Sequence, residues 1–216
     1  MNSKYDLSHL TQSTKQDVLG PIQDDEALFL YSIIRGMRLK RILEIGGLNG
    51  YSALNFLRAV DHTESDTTTV YTVDFINVPK QAENHKVIAK NAVHLTLEDV
   101  DNKPIDMIFF DCHDAIQIQI YKKLLDAGII TEETIIALHD TCLHYEPYNP
   151  TNSKMYIKEE EGYVHQEIER LMVNFFKELG YDIFNLHTTK DKHSDDFPFR
   201  HGVTVCKKFK VLRRVI

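Results

Sequence analysis

The run Leu43-Glu44-Ile45-Gly46-Gly47-Leu48-Asn49-Gly50-Tyr51-Ser52 constrains this chain more than any other feature. A short apolar stretch breaks into glycines and passes into a helix-forming segment. Such a turn belongs to parallel sheets, whose neighbouring strands need a crossover connection. The surrounding sequence keeps the alternation. The pattern predicts a helix over Asp24–Met37 and strands over Arg41–Ile45, Thr69–Val73, Val93–Leu97, Ile105–Phe110 and Thr134–Leu138. It predicts helices over Ser52–Val60, Lys80–Lys90, Ala115–Ala127 and about Val164–Leu179. The strand runs are continuously apolar, as expected of strands covered on both faces. Beyond the last helix, Tyr181–Leu186 and Gly202–Lys207 read as two more strands. The polar loop between them has no room for a crossover helix, so this pair should be antiparallel. The expected fold is a Rossmann-like, doubly wound α/β sheet of seven strands, mostly parallel with an antiparallel C-terminal pair. One domain should cover residues 1–216, with 1–23 as an N-terminal cap and 142–163 as a loop over the acceptor side.

Composition narrows the partners. Hydrophobic residues make up 43% and charged residues 26%, ordinary values for a globular chain. The net charge is −7 and basic runs are absent except Arg213-Arg214, so nucleic acid is not an expected partner. No apolar run approaches the roughly 18 residues of a membrane span. The first residues are polar and lack a signal-peptide core. Three scattered cysteines, Cys112, Cys142 and Cys206, read as reduced thiols in a cytosol-like compartment. A small-molecule acceptor is the expected partner, and assembly with copies of itself is allowed for.

The chemistry concentrates at strand ends. Gly46, Gly47 and Gly50 let the backbone turn sharply beside a ligand, and the amides near Tyr51 and Ser52 can receive a carboxylate. Glu44 would accept from an ammonium or order the loop. Asp74, followed by Phe75, ends the second strand and is placed to accept both hydroxyls of a ribose. Adenine contacts are expected near Thr96, Leu97 and Glu98. Asp111 and Asp140 end two further strands, so their carboxylates should share one crevice and could hold Mg²⁺ with the Thr141 hydroxyl. His139 is an alternative neighbour there. A metal in that place lowers the pKa of a bound hydroxyl. His113 is the leading candidate base, His139 the second, with His144 and His201 behind them. Tyr145, Tyr148, Tyr156, Tyr163, Asn149, Asn152 and Lys154 could meet a sugar or phenol.

These motifs resemble a known family. Leu43–Ser52 is similar to the cofactor motif of catechol-type O-methyltransferases and of the small O-methyltransferases that act on natural products and sugars. Ile105–Asp111 resembles their fourth strand and Ala137–Thr141 their fifth. The resemblance covers about Gly20 to Lys207. It implies the class I fold, S-adenosylmethionine as methyl donor and, in many members, Mg²⁺. It implies Glu44, Gly46 and Ser52 as cofactor-loop positions, Asp74 as the ribose acid, and Asp111 and Asp140 as metal ligands. Two departures point away from catechol chemistry. Thr141 stands where those enzymes have Asn, and Asp114 stands where they carry a catalytic lysine. Sugar-directed members place a histidine base just after the first metal aspartate, and His113 matches it, offset by one residue. That favours a sugar or glycan hydroxyl. A nicotinamide oxidoreductase and a non-catalytic cofactor-binding module are the alternatives, although the glycines do not spell G-x-G-x-x-G.

Overall fold

The computed structural model describes residues 22–61, 68–112, 116–141, 158–159, 162–163, 165–186 and 202–208. Helix α1 (Asp24–Gly36) opens with a capping box between Gln23 and Glu26. Strand β1 (Arg41–Ile45) leads into α2 (Tyr51–Asp61), then β2 (Thr69–Asp74) and β3 (His85–Ala89). Two 3₁₀ turns follow, Ala92–His94 and Leu97–Val100. Next come β4 (Met107–Phe110), α3 (Gln117–Asp126) and β5 (Ile135–Leu138). A two-residue pair, β6 (Lys158–Glu159) and β7 (Gly162–Tyr163), precedes α4 (His165–Glu178), β8 (Asp182–Leu186) and β9 (Val203–Lys207).

The main sheet has seven strands in the order β3-β2-β1-β4-β5-β9-β8. The first five are parallel, and β9 runs antiparallel to both β5 and β8, as the sequence predicts. Side chains alternate across the pleat, so each strand feeds two cores. Leu43, Tyr71, Ile108, Phe110 and Ile136 pack with Ile120, Tyr121 and Leu124 of α3 and Met172, Val173 and Phe176 of α4. Ile42, Val70, Met107, Phe109 and Ile135 pack on the opposite face with Leu30 and Ile34 of α1 and Phe56 and Leu57 of α2. All are buried, which gives three layers with helices on both sides.

Two expectations fail around the third strand. Lys80–Lys90 is rich in helix formers, yet His85–Ala89 lies as β3 along β2, from Val70 beside His85 to Asp74 beside Ala89. Tertiary pairing outweighs weak helix propensity here. Val93–Leu97, read as a strand, instead falls in the 3₁₀ turns. Asn91 accepts from the Val93 amide at 3.0 Å, and Asp99 accepts from the Thr96 amide at 2.8 Å. These local side-chain bonds compete with strand pairing.

Candidate active site

The parallel register places the chemistry on one edge. Ile45 of β1 lies beside Val73 of β2 and Phe110 of β4, and Phe110 lies beside Leu138 of β5. The ladder runs one residue further. Gly46 donates to Val73, Asp111 to Ile45 and His139 to Phe110, each at 2.9–3.0 Å. Gly46, Asp74, Asp111 and His139 therefore emerge together at the carboxyl ends of four adjacent strands, where α/β sheets bind ligands.

The glycine turn is dictated by its neighbours. A Cβ on Gly46 (φ +90°) would lie 2.3 Å from the Asp111 carbonyl oxygen. A Cβ on Gly47 would lie 2.1 Å from the Thr72 methyl. Asp74 ties the turn down: its Oδ2 accepts from the amides of Gly47 at 2.8 Å and Leu48 at 3.1 Å. Phe75 is 71% exposed beside it, and Tyr51 is half-buried.

Glu44 is fully buried beneath the turn. Its Oε2 accepts from the Thr72 hydroxyl at 2.7 Å, and its Oε1 pairs with the Ser52 hydroxyl. Of the two roles expected for Glu44, the geometry supports ordering the loop. Burial pushes its carboxyl up to about 8, with Asp111 and Asp74 adding to the rise and the two hydroxyl bonds opposing it. Thr72 also lies 2.9 Å from His85 Nε2, and the Gln81 amide donates to His85 Nδ1 at 3.0 Å. Burial, helped by Lys80, lowers the His85 pKa.

On the other side stands an array of charges. His139 is buried, with Nδ1 2.9 Å from Asp111 Oδ1 and 3.5 Å from Asp140 Oδ1, and Nε2 3.1 Å from Glu26 Oε2. Glu26 is fully buried and also accepts from the amides of Gln23, at 2.6 Å, and Gly202. Burial disfavours the imidazolium, but Asp140, Asp111 and Glu26 outweigh it and raise the His139 pKa well above its ordinary value. Burial likewise raises Glu26, but the His139 charge and the bonds from His139, Gln23 and Gly202 hold it below the usual range. Asp140 has φ +55°, a left-handed conformation uncommon outside glycine.

Asp111, His139 and Asp140 offer ligand atoms that all lie within 4.8 Å of one another, so this donor set fits a divalent cation. The Thr141 hydroxyl, expected beside the two aspartates, donates to the Gly202 carbonyl at 3.3 Å and accepts from Thr204 at 2.7 Å, at the β5–β9 junction. With a carboxylate on each ring nitrogen, His139 is also poorly placed as a base toward an acceptor. Thr96 and Leu97 sit at the start of a 3₁₀ turn, whereas Lys90 and Asn91 occupy the strand end where adenine contacts were expected. His113, His144, His201 and the tyrosine-rich loop through residue 157 lie outside the described residues, and the side chain of Tyr163 is not described. Glu26, Thr72 and His85 escape sequence reasoning. Glu26 reads as an ordinary acid in a first helical turn, and the other two as strand or helix filler.

The O-methyltransferase family profile matches residues 2–156. The chain belongs to the O-methyltransferase family. A curated relative, the O-methyltransferase ankF of Aspergillus thermomutatus, is 27% identical over 128 residues. That match covers 56% of this chain and 52% of the relative, so the chain spans about half the length of the curated relative it matches. The O-methyltransferase TomG of Streptomyces achromogenes, solved with S-adenosylmethionine and involved in tomaymycin synthesis, superposes with a TM-score of 0.63 at 14% identity. It covers 95% of this chain and 92% of TomG. The Bacillus cereus O-methyltransferase in complex with S-adenosylhomocysteine gives 0.61 at 15% identity, covering 94% and 92%. The S-adenosylhomocysteine-bound Podospora anserina methyltransferase PaMTH1 gives 0.59 at 19%, covering 94% and 87%. These likenesses establish the fold of the O-methyltransferase family across the sheet. No described helix is long and apolar enough to cross a membrane.

Proposed function

We propose that this chain transfers a methyl group from S-adenosylmethionine to a hydroxyl of a small molecule, with a sugar or glycan as the favoured acceptor class. One observation carries the reading. The glycine turn, Asp74 and the Asp111–His139–Asp140 cluster converge on the carboxyl edge of one parallel sheet. Membership of the O-methyltransferase family supports it against a nicotinamide enzyme.

In this reading the turn from Gly46 to Ser52 and the start of α2 receive the amino-acid tail of the donor, because the positive end of a helix dipole favours an anion. Asp74 faces the ribose. Its bonds to the Gly47 and Leu48 amides hold it in place for that task. Phe75 covers the nucleobase side. Asp111 and Asp140 hold a divalent cation, Mg²⁺ in the first instance. When bound it lowers the pKa of the acceptor hydroxyl and orients it. His113, two positions beyond Asp111 in sequence, takes the hydroxyl proton. The protein otherwise supplies alignment of donor and acceptor, which is worth several kcal/mol. A cytosol-like compartment fits the scattered cysteines.

Calorimetric titration with S-adenosylhomocysteine, with Mg²⁺ and again with a chelator, tests the reading, with NAD as control. Binding of S-adenosylhomocysteine and not NAD is expected. Binding of NAD alone, or of neither, refutes it.

A further inference from the structure

Two members of the charge array, Glu26 and His139, have no task in the proposed reaction. The array grows drier with distance from the sheet edge. The side chain of Asp111 is 17% exposed, those of Asp140 and His139 are 5% and 4%, and that of Glu26 is 0%. Glu26 comes from the first turn of α1, whereas His139 and Asp140 directly follow β5. Successive residues of an extended chain point to opposite faces. Asp140 breaks that alternation with its φ of +55°, and its Oδ1 lies 3.5 Å from His139 Nδ1. Asp111 Oδ1 lies 2.9 Å from the same nitrogen. One face of the imidazole edge therefore meets two aspartates, and the other meets Glu26.

The state of the ring follows from Glu26. Its Oε2 accepts from the Gln23 amide at 2.6 Å, and its Oε1 accepts from the Gly202 amide. It also sits at the start of a helix, where the dipole favours a negative charge. Glu26 is thus a carboxylate and can only accept. The nitrogen 3.1 Å from it, Nε2, must then carry a proton. That bond aims Nδ1 at Asp111 and Asp140. A nitrogen lone pair and two carboxylates repel one another unless a positive centre lies among them. Without a metal that centre is a proton on Nδ1. A divalent cation bound to the two aspartates takes its place, and the proton leaves to solvent.

We infer that His139 Nδ1 is a third protein ligand of the cation, that Glu26 is the positioning residue that presents it, and that the site selects a borderline transition-metal ion over Mg²⁺. This rests on the cation site proposed above. A carboxylate bonded to the far nitrogen of a ligating imidazole fixes its tautomer and orientation and strengthens it as a donor. Two carboxylates alone suit a hard ion such as Mg²⁺, whereas an imidazole adds affinity for ions such as Fe²⁺ and Co²⁺. Selectivity should therefore depend on Glu26, although Glu26 lies on the far side of the ring from the cation.

The test is calorimetry on the full chain with Co²⁺ and with Mg²⁺. Wild type should bind Co²⁺ at least about 10-fold more tightly than Mg²⁺. Glu26→Gln should weaken Co²⁺ about 10- to 100-fold and leave Mg²⁺ within about 3-fold of wild type. Equal affinity of the wild type for the two ions overturns the inference. So does an equal loss of both ions in Glu26→Gln, because a distant charge or a loosened fold does not distinguish them. Proton spectra of the Co²⁺-loaded wild type decide the ligand even if Glu26→Gln does not fold. A hyperfine-shifted, exchangeable imidazole N–H resonance is expected from His139 Nε2–H, and His139→Gln should remove it. No such resonance, or one that survives in His139→Gln, refutes ligation by His139. Binding of cations without the resonance leaves the two aspartates as the proposed site and removes only His139 and Glu26. Binding of neither ion ends both, and S-adenosylhomocysteine titration still decides the methyl donor.

Discussion

Glu44→Gln removes an ionisable group without changing shape, and the structure sets the size of the effect. In the unfolded chain this carboxyl titrates near 4.5, and in the fold burial moves it to about 8. Between those values the folded state holds a proton that the unfolded state has released. Stability therefore falls as pH rises, by about 1.4 kcal/mol per unit. The contribution is fully present below pH 4.5 and gone above about pH 8. Over that span the loss is about 5 kcal/mol, and about 4 kcal/mol of it lies between pH 5 and pH 9. The Gln variant has no such titration. Urea unfolding of both proteins at pH 5, 7 and 9 should show the wild type losing about 4 kcal/mol relative to the variant, most of it before pH 8. Parallel curves would mean that Glu44 has the same affinity for its proton folded and unfolded. A relative gain for the wild type at alkaline pH would mean a stabilised carboxylate. Either result refutes the argument that enclosure among hydroxyls and acids keeps this group neutral.

The remaining predictions concern the turn and the charge array. Gly46→Ala adds a left-handed strain of about 1–2 kcal/mol to an overpacking cost of about 1–3 kcal/mol against a backbone oxygen. Gly128→Ala, also left-handed at φ +70° but with nothing within 4 Å, should incur only the strain. Thermal unfolding of the two should differ by several degrees, and equal melting points would contradict the close approach of Gly46 to Asp111. Glu26→Gln keeps an acceptor for the Gly202 amide but removes a charge facing His139. The expected cost is about 1–3 kcal/mol. Glu26 raises the folded His139 pKa, so the variant's deficit should be largest below that pKa and shrink as pH rises through it, as followed by unfolding across pH. Asp111→Asn and Asp140→Asn should each abolish divalent-cation binding measured by calorimetry. Retention of wild-type cation affinity in both would remove these residues from the metal site.

The sequence by itself determined the layered α/β fold. Continuous apolar runs such as Ile42–Ile45 and Met107–Phe110 specify strands covered twice. The glycines after Ile45 specify the turn because no side chain fits there. It also marked Asp74, Asp111 and Asp140, since an acid closing an apolar strand is visible locally. It could not find β3. His85–Ala89 has helix-forming neighbours, and only the edge of β2 makes it a strand. Nor could it place the partners of Thr141 and His139. Both are polar residues at one strand end; Thr204 of β9 donates to the Thr141 hydroxyl, and the imidazole lies between Asp111 and Glu26. Glu26 lies 113 positions before His139, and their contact forms only when α1 packs over the end of β5. Elements and their ends are encoded in neighbouring residues. The partner of a buried charge is encoded in the packing of elements far apart in the chain, and only the tertiary structure decides it.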